Sequence, residues 1–216
     1  ISAGALRANT NSALGAGTVA INAPSGLQLA NGVTLANAIT AAPGANEFVD
    51  VPDANASATL SGNIAVSGGS NQYRLGISGT GATLTLTGAS TASTLNILTR
   101  GNVVFSGNGS LISSSSVNVG RSSAASTMSL TLNNNALVQG NSVNLGGLNG
   151  TSDDLSTAVT LNDASTLSAG TAALNVNNSD VGGSTTHTLN GSATLKAGAG
   201  AVGGSNHGQT TLNFNG

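Results

Sequence analysis

The sequence contains no cysteine and no tryptophan, and only one tyrosine, three phenylalanines and three prolines occur among its 216 residues. The lack of cysteine excludes a disulfide framework, and it is compatible with export through an oxidising compartment. Because large rings supply much of the volume of a globular core, the scarcity of aromatic residues predicts a thin and regular interior.

Charge is equally scarce. Charged residues make up 6% of the chain, and the formal net charge is -2, whereas about a quarter of the residues in an ordinary soluble domain are charged. A nucleic-acid-binding surface needs clustered basic residues, but the five here are scattered along the chain: Arg7, Arg74, Arg100, Arg121 and Lys196. No apolar run reaches the roughly 18 residues of a transmembrane helix. We therefore expect neither a nucleic-acid partner nor a transmembrane segment.

The residues that are abundant indicate short β-strands. Glycine occurs 31 times, hydrophobic residues make up 38% of the chain and the mean hydropathy is +0.15, so disorder driven by high net charge does not fit. No segment has a sustained helical apolar stripe. Instead, polar and apolar residues alternate over short stretches in the ranges 83–87, 94–97 and 129–132. Alternation bounded by Gly, Asn and Ser is typical of strands.

These alternating segments recur in the second half of the chain. Five positions align as anchors, and the steps between them are similar but not equal: Phe105, Leu132, Leu161, Leu189 and Phe214. A second set of aligned residues follows the first four anchors: Leu111, Leu137, Leu167 and Leu195. A third set contains the pairs Val117 and Val119, Val143 and Leu145, and Leu174 and Val176. Three short strands repeated in this way predict a solenoid.

The expected fold is all-β, a parallel β-solenoid with three short strands per coil and roughly eight coils. Residues 1–216 form one domain, in which 1–100 are less regular and 101–216 are regular coils of between about 25 and about 29 residues. Strands are expected at 5–8, 18–21, 26–29 and 33–35, and an excursion from the stack is expected near 43–53. Inward positions should be aliphatic, outward positions should be Thr, Ser or Asn, and Gly and Asn should occupy corners that need a positive φ.

Part of the sequence resembles a known family. The segments 1–19 and 27–39 are similar to the autotransporter-associated β-strand repeat of passenger domains, and the units beyond residue 100 resemble the repeats of secreted adhesins. The resemblance implies a right-handed parallel β-helix on the outer cell surface of a Gram-negative-type bacterium. It implies no particular activity.

Acidic and histidine residues are the candidates for a chemical site. Asp153, Asp154 and Asp163 offer the hard oxygen ligands that Ca²⁺ prefers, but the glycine-rich calcium-binding repeat is absent, so these side chains are expected to be solvated loop acids. His187 and His207 could join Asp180 and a serine in a nucleophilic set, but the sequence lacks a nucleophile elbow. We predict no catalytic, cofactor-binding or metal-binding residues.

Two surface activities are further alternatives. A carbohydrate-active enzyme needs clustered carboxylates and aromatic rings to stack on sugars, and Tyr73 is the only tyrosine. Thr83, Thr85 and Thr87 would suit a flat ice-binding face, which requires outward threonines in rank over several coils. The alternating run of threonines occurs once, and the residues at the corresponding positions of later coils are expected to be Ser, Asn or Ala. An ordinary polar face is therefore expected.

The sequence thus favours a non-enzymatic, extracellular structural protein that forms a stiff rod. Both ends lie within a repeat, so we expect the coils to continue either into further copies stacked end to end, as a self-assembling filament, or into flanking repeats of a longer adhesin stalk. The alternative is a carbohydrate-active β-helix enzyme or a ligand-binding passenger domain.

Overall fold

Three parallel β-sheets, wound from one chain, form the protein. The computed structural model describes residues 1–216 except 3, 23–24, 42–48, 67–71, 100, 120–125, 146–154, 173, 177–183, 199–201 and 204–208. Within these described residues the chain forms strands and turns, and each strand pairs in parallel with the equivalent strand one coil earlier or later. The predicted all-β parallel solenoid is confirmed.

Sheet 1 has nine strands within the described residues. They are β1 (Ala5–Ala8), β3 (Gly26–Leu29), β6 (Val49–Asp50), β9 (Gln72–Ile77), β12 (Thr94–Thr99), β15 (Ser116–Val119), β18 (Ser142–Leu145), β21 (Leu174–Val176) and β24 (Val202–Gly203).

Sheets 2 and 3 have eight strands each within the same residues. Sheet 2 contains β2 (Val19–Ile21), β5 (Ile39–Ala41), β8 (Ile64–Val66), β11 (Ala89–Ala92), β14 (Ser110–Ser113), β17 (Leu137–Gly140), β20 (Thr166–Ala169) and β23 (Thr194–Lys196). Sheet 3 contains β4 (Thr34–Leu35), β7 (Ser57–Leu60), β10 (Thr83–Leu86), β13 (Asn102–Phe105), β16 (Ser126–Leu132), β19 (Leu155–Leu161), β22 (Ser184–Asn190) and β25 (Gln209–Asn215).

The core is a column of aliphatic side chains enclosed by the three sheets. In the short strands β10 and β13, every second side chain is buried, as the period of two along a strand requires. Phe105 is the bulkiest of the fully buried residues, and its neighbours in the core are mostly Leu, Val, Ile and Ala. The core is therefore almost entirely aliphatic, in keeping with the scarcity of large rings in the composition.

The strand register confirms the anchor alignment. Phe105 pairs with Leu132, Leu132 with Leu161, Leu161 with Leu189, and Leu189 with Phe214. The first three anchors are 0% exposed, whereas Phe214 is 72% exposed because β25 has a neighbouring strand on one side only. The anchors therefore form one column, which opens to solvent at β25.

One aligned position is wrong. Leu111 pairs with Val138, and Val138 pairs with Leu167, whereas Leu137 lies one residue earlier and is only half-buried. Leu137 and Val138 are both aliphatic, so the alternation of polar and apolar residues does not show which of the two faces inward. The third set is correct: Val117 pairs with Val143, which pairs with Leu174.

Glycine, asparagine and aspartate occupy the corners with positive φ. On the turns that lead from sheet 3 to sheet 2, the left-handed position belongs to Gly107, Asn134, Asp163 and Gly191, with φ between 59° and 66°. On the turns that lead into sheet 3 it belongs to Gly32, Asn55 and Gly81. These residue types tolerate the left-handed region at the lowest steric cost.

The first coil departs from the pattern of three strands. Residues 10–17 are turns and bends where a strand of sheet 3 would lie. The buried Asn37 holds this segment by donating hydrogen bonds to the carbonyls of Gly15 at 3.0 Å and Gly17 at 2.7 Å. In the segment expected to leave the stack, residues 43–48 lie outside the described residues, and Val49–Asp50 forms β6.

Asparagine ladders run parallel to the solenoid axis. Beside the last strands of sheet 3, the side-chain amide of each asparagine donates to the amide oxygen of the one in the preceding coil. The bonds are 2.7 Å from Asn162 to Asn133, 2.6 Å from Asn190 to Asn162, and 3.0 Å from Asn215 to Asn190. In sheet 1 the same arrangement links Asn175, Asn144 and Asn118, with both bonds at 2.7 Å. These ladders tie successive coils together outside the apolar core.

Candidate functional site

The outward surface of sheet 3 carries a column of threonines. The pairing of successive strands places eight residues in register, one from each strand: Thr34, Thr59, Thr85, Val104, Thr131, Thr160, Thr188 and Asn213. Six of these eight positions are threonine. We call this set the threonine column.

A second outward column lies two residues earlier along each strand. It contains Ser57, Thr83, Asn102, Ser129, Ala158, Thr186 and Thr211. The two columns together form the hydroxyl face, in which nine threonines and two serines occupy most positions and no residue is charged. Thr34 and Thr186 are exposed, and Thr85 and Thr131 are half-buried between their neighbours.

The two columns differ in hydrogen bonding. In the second column, Ser129 donates to the side-chain oxygen of Asn102 at 2.7 Å, and the Asn102 amide lies 3.4 Å from the Thr83 hydroxyl. In the threonine column, none of the six threonine hydroxyl groups has a protein partner among the described residues, and the one bond of Thr34 comes from its backbone N–H. These hydroxyl groups are therefore free to bind water or a ligand.

The expectation that the later equivalents of the threonine run are Ser, Asn or Ala is wrong at the position of Thr85, where Thr131, Thr160 and Thr188 follow in register. At the position of Thr83 it is confirmed, since Asn102, Ser129 and Ala158 follow. Successive members of the threonine column stand at unequal distances along the chain, the shortest from Thr85 to Val104 and the longest from Thr131 to Thr160. Such unequal intervals hide the column in the sequence, because turns of different length separate the strands. The signal that could have revealed it is the recurring pair Thr-Leu, which is found at 34–35, 59–60, 85–86, 131–132, 160–161 and 188–189.

His187, which the sequence suggests as a catalytic candidate, points into the core. It pairs with Val159 on β19 and with Leu212 on β25, and it is 0% exposed. Neither ring nitrogen has a hydrogen-bond partner. Burial lowers the pKa of His187 from 6.5 to about 4, because the charged imidazolium would lose its hydration. At neutral pH His187 is therefore an uncharged core residue.

Two threonines are buried on the same strands as His187 and its partner. Thr157 of β19 pairs with Thr185 of β22, and both hydroxyl groups lack a partner. Thr185 precedes His187 by two positions, so the two side chains lie on the same side of the strand. The core near β22 is therefore more polar than the aliphatic core that the sequence predicts.

The described acidic residues serve structural contacts. Asp163 occupies a left-handed corner and accepts a hydrogen bond from the backbone of Asn134 at 3.0 Å. The buried Asp50 accepts hydrogen bonds from the backbone and the hydroxyl of Ser78, at 2.7 and 2.8 Å. Asp53 forms an exposed ion pair with Arg7. Among the described residues, no group of three His, Cys, Asp or Glu side chains could hold a metal ion.

Several candidates fall outside the described residues: Asp153, Asp154, Asp180 and His207. Tyr73 lies in β9, paired with Leu95 of β12. Of the candidate calcium ligands the structure describes only Asp163, and of His187, His207 and Asp180 it describes only His187.

Comparison with protein-family models, curated proteins and solved structures finds no match to this chain. In the part of the chain that the structure describes, no helix has the length and hydropathy needed to cross a membrane.

Proposed function

We propose that this protein is a structural segment of an extracellular surface, in which the stacked coils form a stiff rod. The observation that carries the proposal is the continuity of the three sheets. Each described strand is hydrogen-bonded to the equivalent strand of an adjacent coil, and the buried side chains form a single hydrophobic cluster along the stack. Force along the axis would therefore act on many hydrogen bonds and on one common core.

The asparagine ladders support the same role. Asn162 is bonded to Asn133 in the coil before it and to Asn190 in the coil after it. Amide ladders of this kind resist the separation of neighbouring strands. They give the rod a second set of contacts between coils, independent of the backbone ladders.

The extracellular location rests on composition and resemblance. The chain has no cysteine and few charges, and its first segments resemble repeats of exported passenger domains. In one version the coils continue into further copies stacked end to end, and in the other they continue into flanking repeats of an adhesin stalk. Electron microscopy of the native material separates the two versions, since a polymer gives uniform filaments with a rise of one subunit.

The mechanical role is tested by stretching single molecules from their two termini. We expect the stack to resist force and then to open coil by coil, each coil of about 25 residues releasing roughly 85 Å of chain at about 3.4 Å per residue. Asn162→Ala should lower the force at which the coils around β19 open. Asn135→Ala is the matched control, because the Asn135 side chain is exposed. Extension at the force of an unfolded polypeptide would refute the proposal.

A further inference from the structure

We propose that the hydroxyl face binds crystalline water, so that the protein attaches to the surface of ice. This inference goes beyond the structural role, and it rests on the strand register rather than on the cellular location of the rod. The juxtaposition that carries it is the alignment of six threonines from different coils in the threonine column, with a second hydroxyl-rich column beside it.

The spacing of the face is regular in two directions. Strands in a sheet lie about 4.8 Å apart, and side chains two residues apart along a strand are separated by about 6.6 Å. Thr131, Thr160 and Thr188 occupy adjacent strands in unbroken register, so their hydroxyl groups repeat at the first of these distances. A two-dimensional array with these repeats is close to the oxygen spacing on the prism planes of hexagonal ice.

The face is also rigid. Threonine has a branched β-carbon and few accessible rotamers on a strand, and each of Thr131 and Thr160 lies on a strand that is paired on both sides. A rigid array holds bound water at fixed positions and loses little side-chain entropy when a lattice forms against it.

The chemistry of the side chains matches an uncharged partner. Each threonine of the column presents a hydroxyl that can bond to lattice oxygen and a methyl group that carries no hydration of its own. The charged residues with described side chains lie elsewhere: Arg7 and Asp50 on sheet 1, Lys196 on sheet 2, and Asp53 and Asp163 in turns. The absence of charge favours water ordered as in ice, since an ion would keep a hydration shell that does not fit the lattice.

The outward surface of sheet 2 provides an internal comparison. Its corresponding column is chemically mixed: Ala20, Thr40, Ala65, Thr91, Ile112, Gln139, Ser168 and Lys196. Both sheets share the same strand spacing, but only sheet 3 repeats one hydroxyl-bearing side chain over most of its described strands. The difference lies in the side chains, which makes sheet 2 the natural site for control substitutions.

The experiment measures how the purified chain affects a single ice crystal. We expect the wild-type protein to hold the crystal at a fixed size below its melting point and to be taken up into growing ice. The freezing-point gap is the difference between the melting temperature of the crystal and the temperature at which it resumes growth. Thr131→Tyr with Thr160→Tyr should reduce this gap at least tenfold, because two large rings hold the face away from the lattice. Tyrosine has a high strand propensity, and circular dichroism verifies that the variant is folded.

Two further variants sharpen the test. Thr40→Tyr with Thr91→Tyr, on the exposed positions of sheet 2, should leave ice binding unchanged. Val104→Thr should increase the freezing-point gap, because it completes the run from Thr34 to Thr188 within the threonine column.

Three results would overturn the proposal: a wild-type protein that neither restrains ice growth nor enters ice, equal losses from the sheet 2 and sheet 3 variants, or a hydroxyl face that is covered by a second copy of the chain in solution. The last result is detected as a dimer that Thr131→Tyr abolishes.

Discussion

Replacing His187 with leucine should make the protein more stable and remove one component of its sensitivity to acid. His187 is fully buried, with both ring nitrogens unpartnered. The equivalent positions on β16 and β19 hold Leu130 and Val159. Leucine is close to imidazole in volume and needs no hydrogen bond, so His187→Leu should raise the free energy of unfolding at pH 7 by about 1–3 kcal/mol.

The acid sensitivity follows from the pKa of His187, which burial lowers from 6.5 to about 4. Between these two pH values the unfolded chain binds a proton that the folded chain does not bind. The free energy of unfolding therefore falls as the pH drops from about 6.5, and this effect levels off below about 4. A difference of 2.5 pH units corresponds to about 3 kcal/mol. The neighbouring strands β19 and β25 carry no titratable side chains that could offset it.

Urea unfolding followed by circular dichroism at several pH values between 7 and 4 measures this effect. His207→Asn is the control, since His207 is the only other histidine. The slope of the free energy of unfolding against pH should be unchanged in His207→Asn. In His187→Leu the slope should be smaller, because that variant lacks the buried imidazole. Proton NMR of the His187 ring gives its pKa directly. An ordinary pKa near 6.5, or an identical slope in wild type and His187→Leu, would refute the assignment of His187 to the core.

Three other substitutions test the packing. Leu132→Ala should lower the free energy of unfolding by about 2–5 kcal/mol, because it leaves a cavity at a 0% exposed position; a loss under about 1 kcal/mol would contradict the anchor column. Gly88→Ala should lower the free energy of unfolding by about 1–3 kcal/mol, since the added Cβ would lie 2.3 Å from the carbonyl oxygen of Gly62. An unchanged free energy of unfolding in urea would contradict this close approach. Asn162→Ala should lower the free energy of unfolding by about 1–3 kcal/mol because it breaks two ladder hydrogen bonds. An equal loss from Asn135→Ala, at an exposed position, would show that the ladder does not stabilise the fold.

Most of the fold could be predicted because its signals are local. Strand candidates such as 5–8 and 26–29 match β1 and β3, and the anchors from Phe105 to Phe214 fall in one column. The handedness of the coil stays a prediction of the family resemblance. The error at Leu137 arises where two apolar residues stand side by side, so that the period of two no longer identifies the inward one.

The candidate sites were harder to predict. The inward position of His187 could have been predicted, because it stands two residues before the anchor Leu189 and side chains two residues apart lie on the same face of a strand. Its polar side chain and its threonine neighbours favoured a site candidate over a core residue, and the pairing of His187 with Val159 shows the core position.

The sequence by itself determined the strand type, the aliphatic core and the residues at the corners, because side-chain alternation and positive φ are properties of a few neighbouring residues. Only the tertiary structure decided which side chains stack across coils. The interval between equivalent positions changes from coil to coil, and hydrogen bonds between coils, rather than distance along the chain, set the register. The hydroxyl face exists only in that register, since its members lie on different strands and meet only when the coils are stacked.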